Sequence, residues 1–449
     1  MESYNTTINE KSYTIKIFDK KEMNFWKVLS FVRAGFNARR NDEEQKYLFL
    51  TNELLGDVNP KLNPYFNYTD SKFVIAYRNG NPVGRVIITY DPLYNEYHKK
   101  YNRDPVVWFQ WLEFENKYLG KYLLDKSVDI AKEFKNKKDN EIKYLIGPGQ
   151  PNENGIVGLR TEKNFIYFME PNNPIRYKDI FDKIPIDDYW YSLKFNEKDL
   201  KKWKYILEKF DGHVKDISNE KNSTFKIIQL NKSNVKKHLG EIEEIYKNAW
   251  DSEEHKHGRI LKHDEFVSIF NGLKLILPKN WDNSYIAYKI ADKKNEGSKK
   301  SIYVPIGAAV SLPNYYEKFK KHESFGIKIL NELSIFLNNK NYKTGRIFIE
   351  GAVNKIDGID IPPMEKSSIV GMLTTETLKW FEEHDVNPIT MSQVVRSNKD
   401  VIIPLVKMFN PKKYKDLNKL NYEGNIDSII GELAKYNKVS IAPVYKMEP

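Results

Sequence analysis

A strand, a helix and a second strand follow one another between Asp104 and Gly149, and this run limits the folds open to the chain more than any other feature. The aromatic-rich stretch Val106-Val107-Trp108-Phe109-Gln110-Trp111-Leu112-Glu113-Phe114 leads into a predicted helix from Asn116 to Phe134, and Lys143-Tyr144-Leu145-Ile146 forms a short strand ending on Gly147-Pro148-Gly149. About forty-five residues is the size of a crossover that joins two parallel strands. A strand feeding directly into a helix start can hold a phosphate on backbone N–H groups and the helix dipole, although most such junctions bind nothing. A similar unit recurs between Arg346 and Phe409, so the arrangement is expected twice.

At 449 residues the chain has room for two or three domains with substantial cores. The absence of cysteine excludes disulfides, thiolate metal sites and a cysteinyl acyl-enzyme, so catalysis must be direct or use another nucleophile. Met1 to Lys11 is polar, with no apolar core before a cleavage site, and no run approaches a membrane span; a cytoplasmic protein is expected. The formal charge of +11 favours an anionic partner such as a phosphorylated cofactor or an acidic carrier protein. Basic residues nevertheless alternate with acids, as in Lys198-Asp199-Leu200-Lys201, which suits a solvated surface, and nucleic-acid binding is not expected.

Along the chain, Lys11 to Phe18 alternates as a strand, and Lys21 to Leu55 is helical in pattern. Lys72 to Tyr77 and Pro82 to Tyr90 form a hairpin across Arg78-Asn79-Gly80-Asn81, where Asn-Gly signals a tight turn. Leu119, Leu123, Ile130 and Phe134 give the following helix an inward stripe. Tyr189 to Phe195 is expected to close the first half, and Glu197 to Asn222 to connect the halves. The order then restarts. Strand Thr224 to Leu230 precedes two helices, the strands Ser284 to Ala291 and Ile302 to Leu312, and a helical insertion, Tyr315 to Lys340. Strand Arg346 to Val353, a loop Asn354 to Ser367, helix Ser368 to His384 and strand Ile389 to Val395 complete the repeat.

Short phrases tie this order to a family. Pro82-Val83-Gly84-Arg85-Val86, Gly147-Pro148-Gly149-Gln150-Pro151-Asn152-Glu153-Asn154-Gly155, and Asn173-Pro174 to Tyr177 followed by Asp187-Asp188-Tyr189-Trp190-Tyr191 resemble the amino half of bacterial tandem GNAT-fold proteins. GNAT denotes a large superfamily of N-acetyltransferases. The second half is similar through Glu244-Ile245-Tyr246-Lys247-Asn248-Ala249-Trp250, the strand–loop–helix at Arg346 to Phe381, and Ser397-Asn398. The likeness spans nearly the whole chain and specifies fold better than activity. It implies an α/β fold of two tandem GNAT-like domains, residues 1–210 and 211–449, each a mixed, centrally splayed β-sheet flanked by helices.

The resemblance further implies an acyl-CoA or acyl-phosphopantetheine donor in the splay, with its pyrophosphate on backbone N–H groups where a loop enters the central helix. In the second half the corresponding residues are Glu365-Lys366-Ser367-Ser368-Ile369-Val370. Lys366 and the hydroxyls of Ser367 and Ser368 suit an anion, whereas Glu365 opposes one, and either serine also serves as a plain helix cap. The first half departs further: Glu115-Asn116-Lys117-Tyr118-Leu119-Gly120 has one glycine and a leading acid, and Asn116 suits an N-cap.

Amine acylation in such a fold is direct, with a base for the amine and an acid for the leaving thiolate. Glu350, at the end of the central strand, is the candidate base; its alternative is a loop-edge acid. Asn398 matches an asparagine the family uses near the pantetheine, and as an N-cap it would look identical. Tyr422, with Tyr414 beside it, is the candidate acid, while core packing is the ordinary role of the chain's 29 tyrosines. His255-Lys256-His257 suits a solvated loop, and no metal is expected. These expectations describe an acyltransferase acting on an amine of a small molecule or peptide, with the second half the more suited to the donor. The alternative is a catalytically inactive tandem fold that serves as a binding or scaffold protein.

Overall fold

The first half of the chain contributes β1 (Glu2–Ile8), β2 (Lys11–Asp19), α1 (Phe25–Ala38), the single turn α2 (Leu50–Asn52), β3 (Asp70–Arg78), β4 (Asn81–Tyr90), α3 (Pro92–Lys99), β5 (Val106–Phe114), α4 (Lys117–Lys137), β6 (Tyr144–Gly147) and β7 (Ile186–Phe195). The second contributes β8 (Phe225–Leu230), α5 (Leu239–Trp250), α6 (His263–Ile276), β9 (Ser284–Asp292), β10 (Ser301–Pro313), α7 (Phe325–Leu337), β11 (Gly345–Ala352), the small pair β12 (Lys355–Ile356) and β13 (Ile359–Asp360), α8 (Pro363–Glu383), β14 (Ile389–Val395) and β15 (Val439–Met447). The structure, a computed structural model, describes residues 1–137, 142–151, 157–161, 167–201, 225–251, 258–278, 281–292, 301–337, 341–356, 359–395, 430–431, 433 and 439–449. The 210/211 boundary, His255-Lys256-His257, Asn398, Tyr414 and Tyr422 lie outside the described residues.

Local chemistry accounts for most of these elements. Asn79 and Gly80 both take positive φ, 51° and 76°, as a two-residue hairpin requires. The expected stripe of α4 is buried: Leu119, Leu123, Ile130 and Phe134 pack with Val86, Phe109 and Phe114. The edge strand β1 escapes pattern analysis because Glu-Ser-Tyr-Asn-Thr-Thr-Ile buries no complete face.

Thirteen strands form one mixed sheet in the order β1-β2-β3-β4-β5-β6-β15-β7-β14-β11-β10-β9-β8. Helices pack against both halves of it, with α1 and α4 against β4 and α5 and α8 against β10. The order corrects one expectation. β7 does not close the first half; it runs antiparallel between β14 and β15, both from the second half. β15 in turn pairs with β6. The two halves thus exchange their last strands, and no sheet edge is left at the middle.

Each half contains one parallel pair, and each pair parts after three residues. β5 and β6 align at Val106↔Tyr144, Val107↔Leu145 and Trp108↔Ile146. β11 and β14 align at Gly345↔Ile389, Arg346↔Thr390 and Ile347↔Met391. The central strand bulges beyond each junction. Gln110 and Glu113 of β5 face Ile87 and Arg85 of β4, leaving one extra residue, and Trp111 there has a φ of 56°. Ile347 and Ile349 face the adjacent Ser311 and Val310, leaving Phe348 as the extra residue of β11.

Buried ions bind the halves together. Arg259 pairs with Asp91 of the first half at 2.7 Å and with both oxygens of Glu265 at 2.7 Å. Arg346 of the second half donates to the Phe168 carbonyl of the first at 2.7 Å, beside a first-half pair in which Arg160 binds Glu170 and donates to Ser192 Oγ at 2.5 Å. Glu332 of α7 accepts from Leu50 N and Thr51 N at 3.2 and 2.8 Å, capping the turn of α2 from the other half. Removing Arg259 strands two buried carboxylates, and Arg259→Ala should cost about 3–5 kcal/mol in urea unfolding. A chain severed between residues 210 and 211 should yield two pieces that each lack a cooperative melt alone and regain one when co-expressed. Independent melting of either piece would contradict the exchange.

Candidate functional site

Beside the splay of the first half lies a cleft of about 120 Å³. Its walls come from Gln110, Trp111 and Glu113 of β5, from Asn52 at the end of α2 and Glu53 and Asp57 beyond it, from Gln150 and Glu170, and from Tyr316 of the second half. Arg39 holds Glu113 through two bonds, Nε to Oε2 at 2.7 Å and Nη2 to Oε1 at 2.6 Å. Arg85, fully buried, donates to Glu53 at 2.6 Å. Gly35 makes that possible, since a Cβ there would lie 2.5 Å from the Arg85 guanidinium.

Asp57 accepts from Asn52 Nδ2 at 2.7 Å. Burial, and then the charge of Glu53, push its carboxyl up to about 7. No sequence motif marks this residue. Its one visible signal is the four-residue spacing from Glu53, and its environment is assembled by packing.

Tyr177 and Phe181 also line this cleft. Tyr177 stacks on Phe114 at 4.0 Å, donates to Glu113 Oε2 at 2.5 Å and accepts from Phe114 N at 3.2 Å. Phe181 stacks against Tyr445 at 4.4 Å and Phe109 at 6.2 Å. Asn116 Oδ1 caps α4 by accepting from Leu119 N at 3.1 Å, as its sequence position implies. Glu115 beside it accepts from Tyr13 and Arg78 at 2.8 and 2.7 Å.

In the second half, α8 begins at Pro363, five residues before the expected Ser368. Lys366 N already donates to Pro362 O at 3.0 Å. Ser367, Ser368, Ile369 and Val370 therefore lie beyond the first turn, where helical bonding takes their N–H groups. This corrects the expectation that these four form the loop-to-helix junction. Ile369 is buried against Gly307, Ser368 is buried, and Val370 packs at the edge of the same core. The N–H groups left without an intrahelical partner belong to Met364 and Glu365, since Pro363 has none.

The charges around that first turn also differ from expectation. Glu365 does not stand alone against an anion, because Lys289 pairs with it at 2.7 Å. Lys366 Nζ donates to Asn354 Oδ1 at 2.7 Å, and Asn354 is held in turn by Asn248, whose Oδ1 accepts from its N–H at 2.7 Å.

Glu350 lies just past the bulge of β11, opposite Ala309, and accepts from Thr374 Oγ1 of α8 at 2.5 Å. It is half-buried. Burial pushes its carboxyl up to about 7, against the lowering effect of the Thr374 hydrogen bond. Among the described residues no group of three or more His, Asp or Glu side chains could hold a metal, and no helix is long and apolar enough to cross a membrane.

No family profile matches the chain, and no curated protein matches it significantly. Solved structures resemble the chain, two of them as follows. The chain is similar to a tandem GNAT protein from the clavulanic acid biosynthesis pathway, solved without AcCoA. That alignment covers 97% of this chain and 98% of the other, at 8% identity and a TM-score of 0.41. A conserved protein of unknown function from Bacteroides thetaiotaomicron VPI-5482 aligns over 83% of this chain and 89% of its own, at 9% identity and a TM-score of 0.31. At these TM-scores neither likeness bears on the chemistry, and the fold rests on the strand order and register above.

Because the folded chain holds the Glu350 proton up to about 7 and the unfolded chain releases it near its usual 4.5, stability falls as pH rises through that window. Glu350→Gln should therefore gain melting temperature over the native chain progressively between these values, with a constant difference above them. A difference independent of pH would show that the carboxyl is not raised.

Proposed function

We propose that the chain transfers an acyl group from acyl-CoA or an acyl-phosphopantetheine carrier to an amine of a small molecule or peptide, at the splay of β11 and β14. The observation that carries this reading is Glu350: a half-buried carboxyl near neutrality, beside a bulge, where the central strand leaves its parallel neighbour. A base poised near the working pH combines the right protonation state with driving force for proton transfer.

Glu350 takes a proton from the amine, whose nitrogen bonds to the thioester carbonyl carbon as the C–S bond breaks. Backbone N–H at the bulge polarises the carbonyl oxygen. The departing thiolate receives a proton, a role we assign to Tyr422, with Asn398 beside the pantetheine arm. The donor's phosphates sit at the start of α8, where the N–H groups of Met364 and Glu365 and the Lys366 ammonium favour an anion and Lys289 offsets Glu365. An acidic carrier protein suits the chain's charge of +11. The packed Tyr177, bonded to Glu113, and the capped start of α4 support a structural role for the first half, whose walls border the acceptor. The acid retained at Glu365, in the first turn of α8, favours the second reading, a tandem fold without catalysis.

Purified protein supplied with acyl-CoA of several chain lengths and a pool of amines should release free thiol, with a pH–rate limb near 7. Glu350→Gln should lower kcat by about 10²–10⁴, the range for a lost general base, and abolish that limb. Lys366→Glu should raise KM for the donor with little change in kcat. Absence of thiol release and of saturable donor binding would favour the scaffold.

A further inference from the structure

Helix α7 carries its charges inward and apolar side chains outward. Its only charged side chains, Lys328 and Glu332, are buried and pair at 3.2 Å. Lys328 Nζ also donates to the Lys46 carbonyl at 3.1 Å. On the outward face Ile327, Leu330, Leu333 and Leu337 are 56%, 66%, 38% and 84% exposed, with Gly326 and Ser334 exposed beside them. Steps of three and four residues place the four on one stripe. Ile329, Ile335 and Phe336 pack on the inner side, so the helix is apolar all round apart from its buried ion pair. A helix of that kind is ordinarily covered on every side.

α3 supplies an internal comparison. It holds the corresponding place in the first half, between the hairpin and the central strand, and it too reaches the other half, where His98 Nε2 bonds to the Gly258 carbonyl at 2.8 Å. Its exposed residues include Glu96, Lys99 and Lys100, the charged surface of a solvated helix. The stripe on α7 is therefore not imposed by its position. Thirteen residues span about 20 Å, too short to cross a bilayer. Two features fit the stripe to a second copy of the chain. Its four aliphatic side chains offer roughly 450 Å² of apolar surface, over half of what one partner gives to a standard interface. The charges at the start of the helix are balanced, since Arg40 pairs with Glu323 at 3.7 Å and Lys321 with Glu43 at 3.5 Å. A self-complementary contact suits a rim of both signs, whereas an anionic lipid surface would meet the exposed carboxylates Glu43 and Glu323.

We propose that α7 is the contact surface for a second copy of this chain, its stripe packing against the same stripe about a two-fold axis, with Leu330, Leu333 and Ser334 of each copy nearest that axis. This pairing does not depend on the acyl transfer proposed above.

Sedimentation velocity of the full chain, over a concentration series reaching about 100 μM, should show conversion from 53.0 kDa to twice that mass. Leu330→Lys should weaken association at least tenfold and remove any dependence of melting temperature on protein concentration. Because the native chain has no cysteine, Ser334→Cys treated with diamide should give a disulfide-linked dimer, whereas Ser12→Cys, exposed on β2, should stay monomeric on denaturing gels. If Leu330→Lys fails to fold, the two cysteine variants decide. A monomer throughout the series would overturn the proposal, including one that floats with phosphatidylglycerol vesicles and so spends the stripe on lipid. Association indifferent to Leu330→Lys, or cross-linking no faster at Ser334→Cys than at Ser12→Cys, would overturn it equally. None of these outcomes reads thiol release, so the two readings fail separately.

Discussion

The hydrogen bonding of β7 and β15 is the constraint on which the rest of this structure depends. A strand in the middle of a sheet must satisfy backbone groups on both sides, and here each half supplies the strand that the other needs. β7 finds its partners in β14 and β15, and β6 would present a bare edge without β15. Exposed edges invite pairing with other chains. Exchange removes such edges from the middle of the sheet and joins the halves through a continuous ladder, which contacts of Arg259, Arg346 and Glu332 across the halves reinforce.

The same sheet sets where chemistry can occur. Parallel pairing lasts three residues in each half before the strands diverge, and just beyond it the central strand bulges against its antiparallel neighbour. What fills the gap then distinguishes the two. In the first half, Tyr177 and Phe181 stack on aromatic neighbours and line a cleft that carries several paired carboxylates. In the second, a carboxyl near neutrality stands beside the bulge, and lysines border the start of the neighbouring helix. The two parallel pairs thus have differently furnished surroundings.

Elements fixed by local chemistry were legible in the sequence. The Asn79-Gly80 turn announces its hairpin, and the aromatic run Val106 to Phe114 coincides with β5. The start of α8 was misplaced because Ser367-Ser368 resembles a cap, whereas Pro363 at the first helical position was the stronger signal. The neighbours of β7 were illegible for a deeper reason: alternation tells which face of a strand is buried, not which strand lies beside it. At the candidate site, Glu350 could be named from its place at a strand end, but its raised carboxyl and the Thr374 bond depend on packing. Gln110, Gln150 and Asp57 come from separate stretches, so their convergence has no linear signature.

The central claim is that the donor is held by the second opening and not the first. Hydrogen–deuterium exchange of the full chain, with and without acetyl-CoA and a long-chain acyl-CoA, tests it most directly. Slowed exchange across residues 345–356 and 363–370, with none across 106–120, is the expected result. Protection confined to 106–120, or none anywhere at saturating donor, would contradict the account.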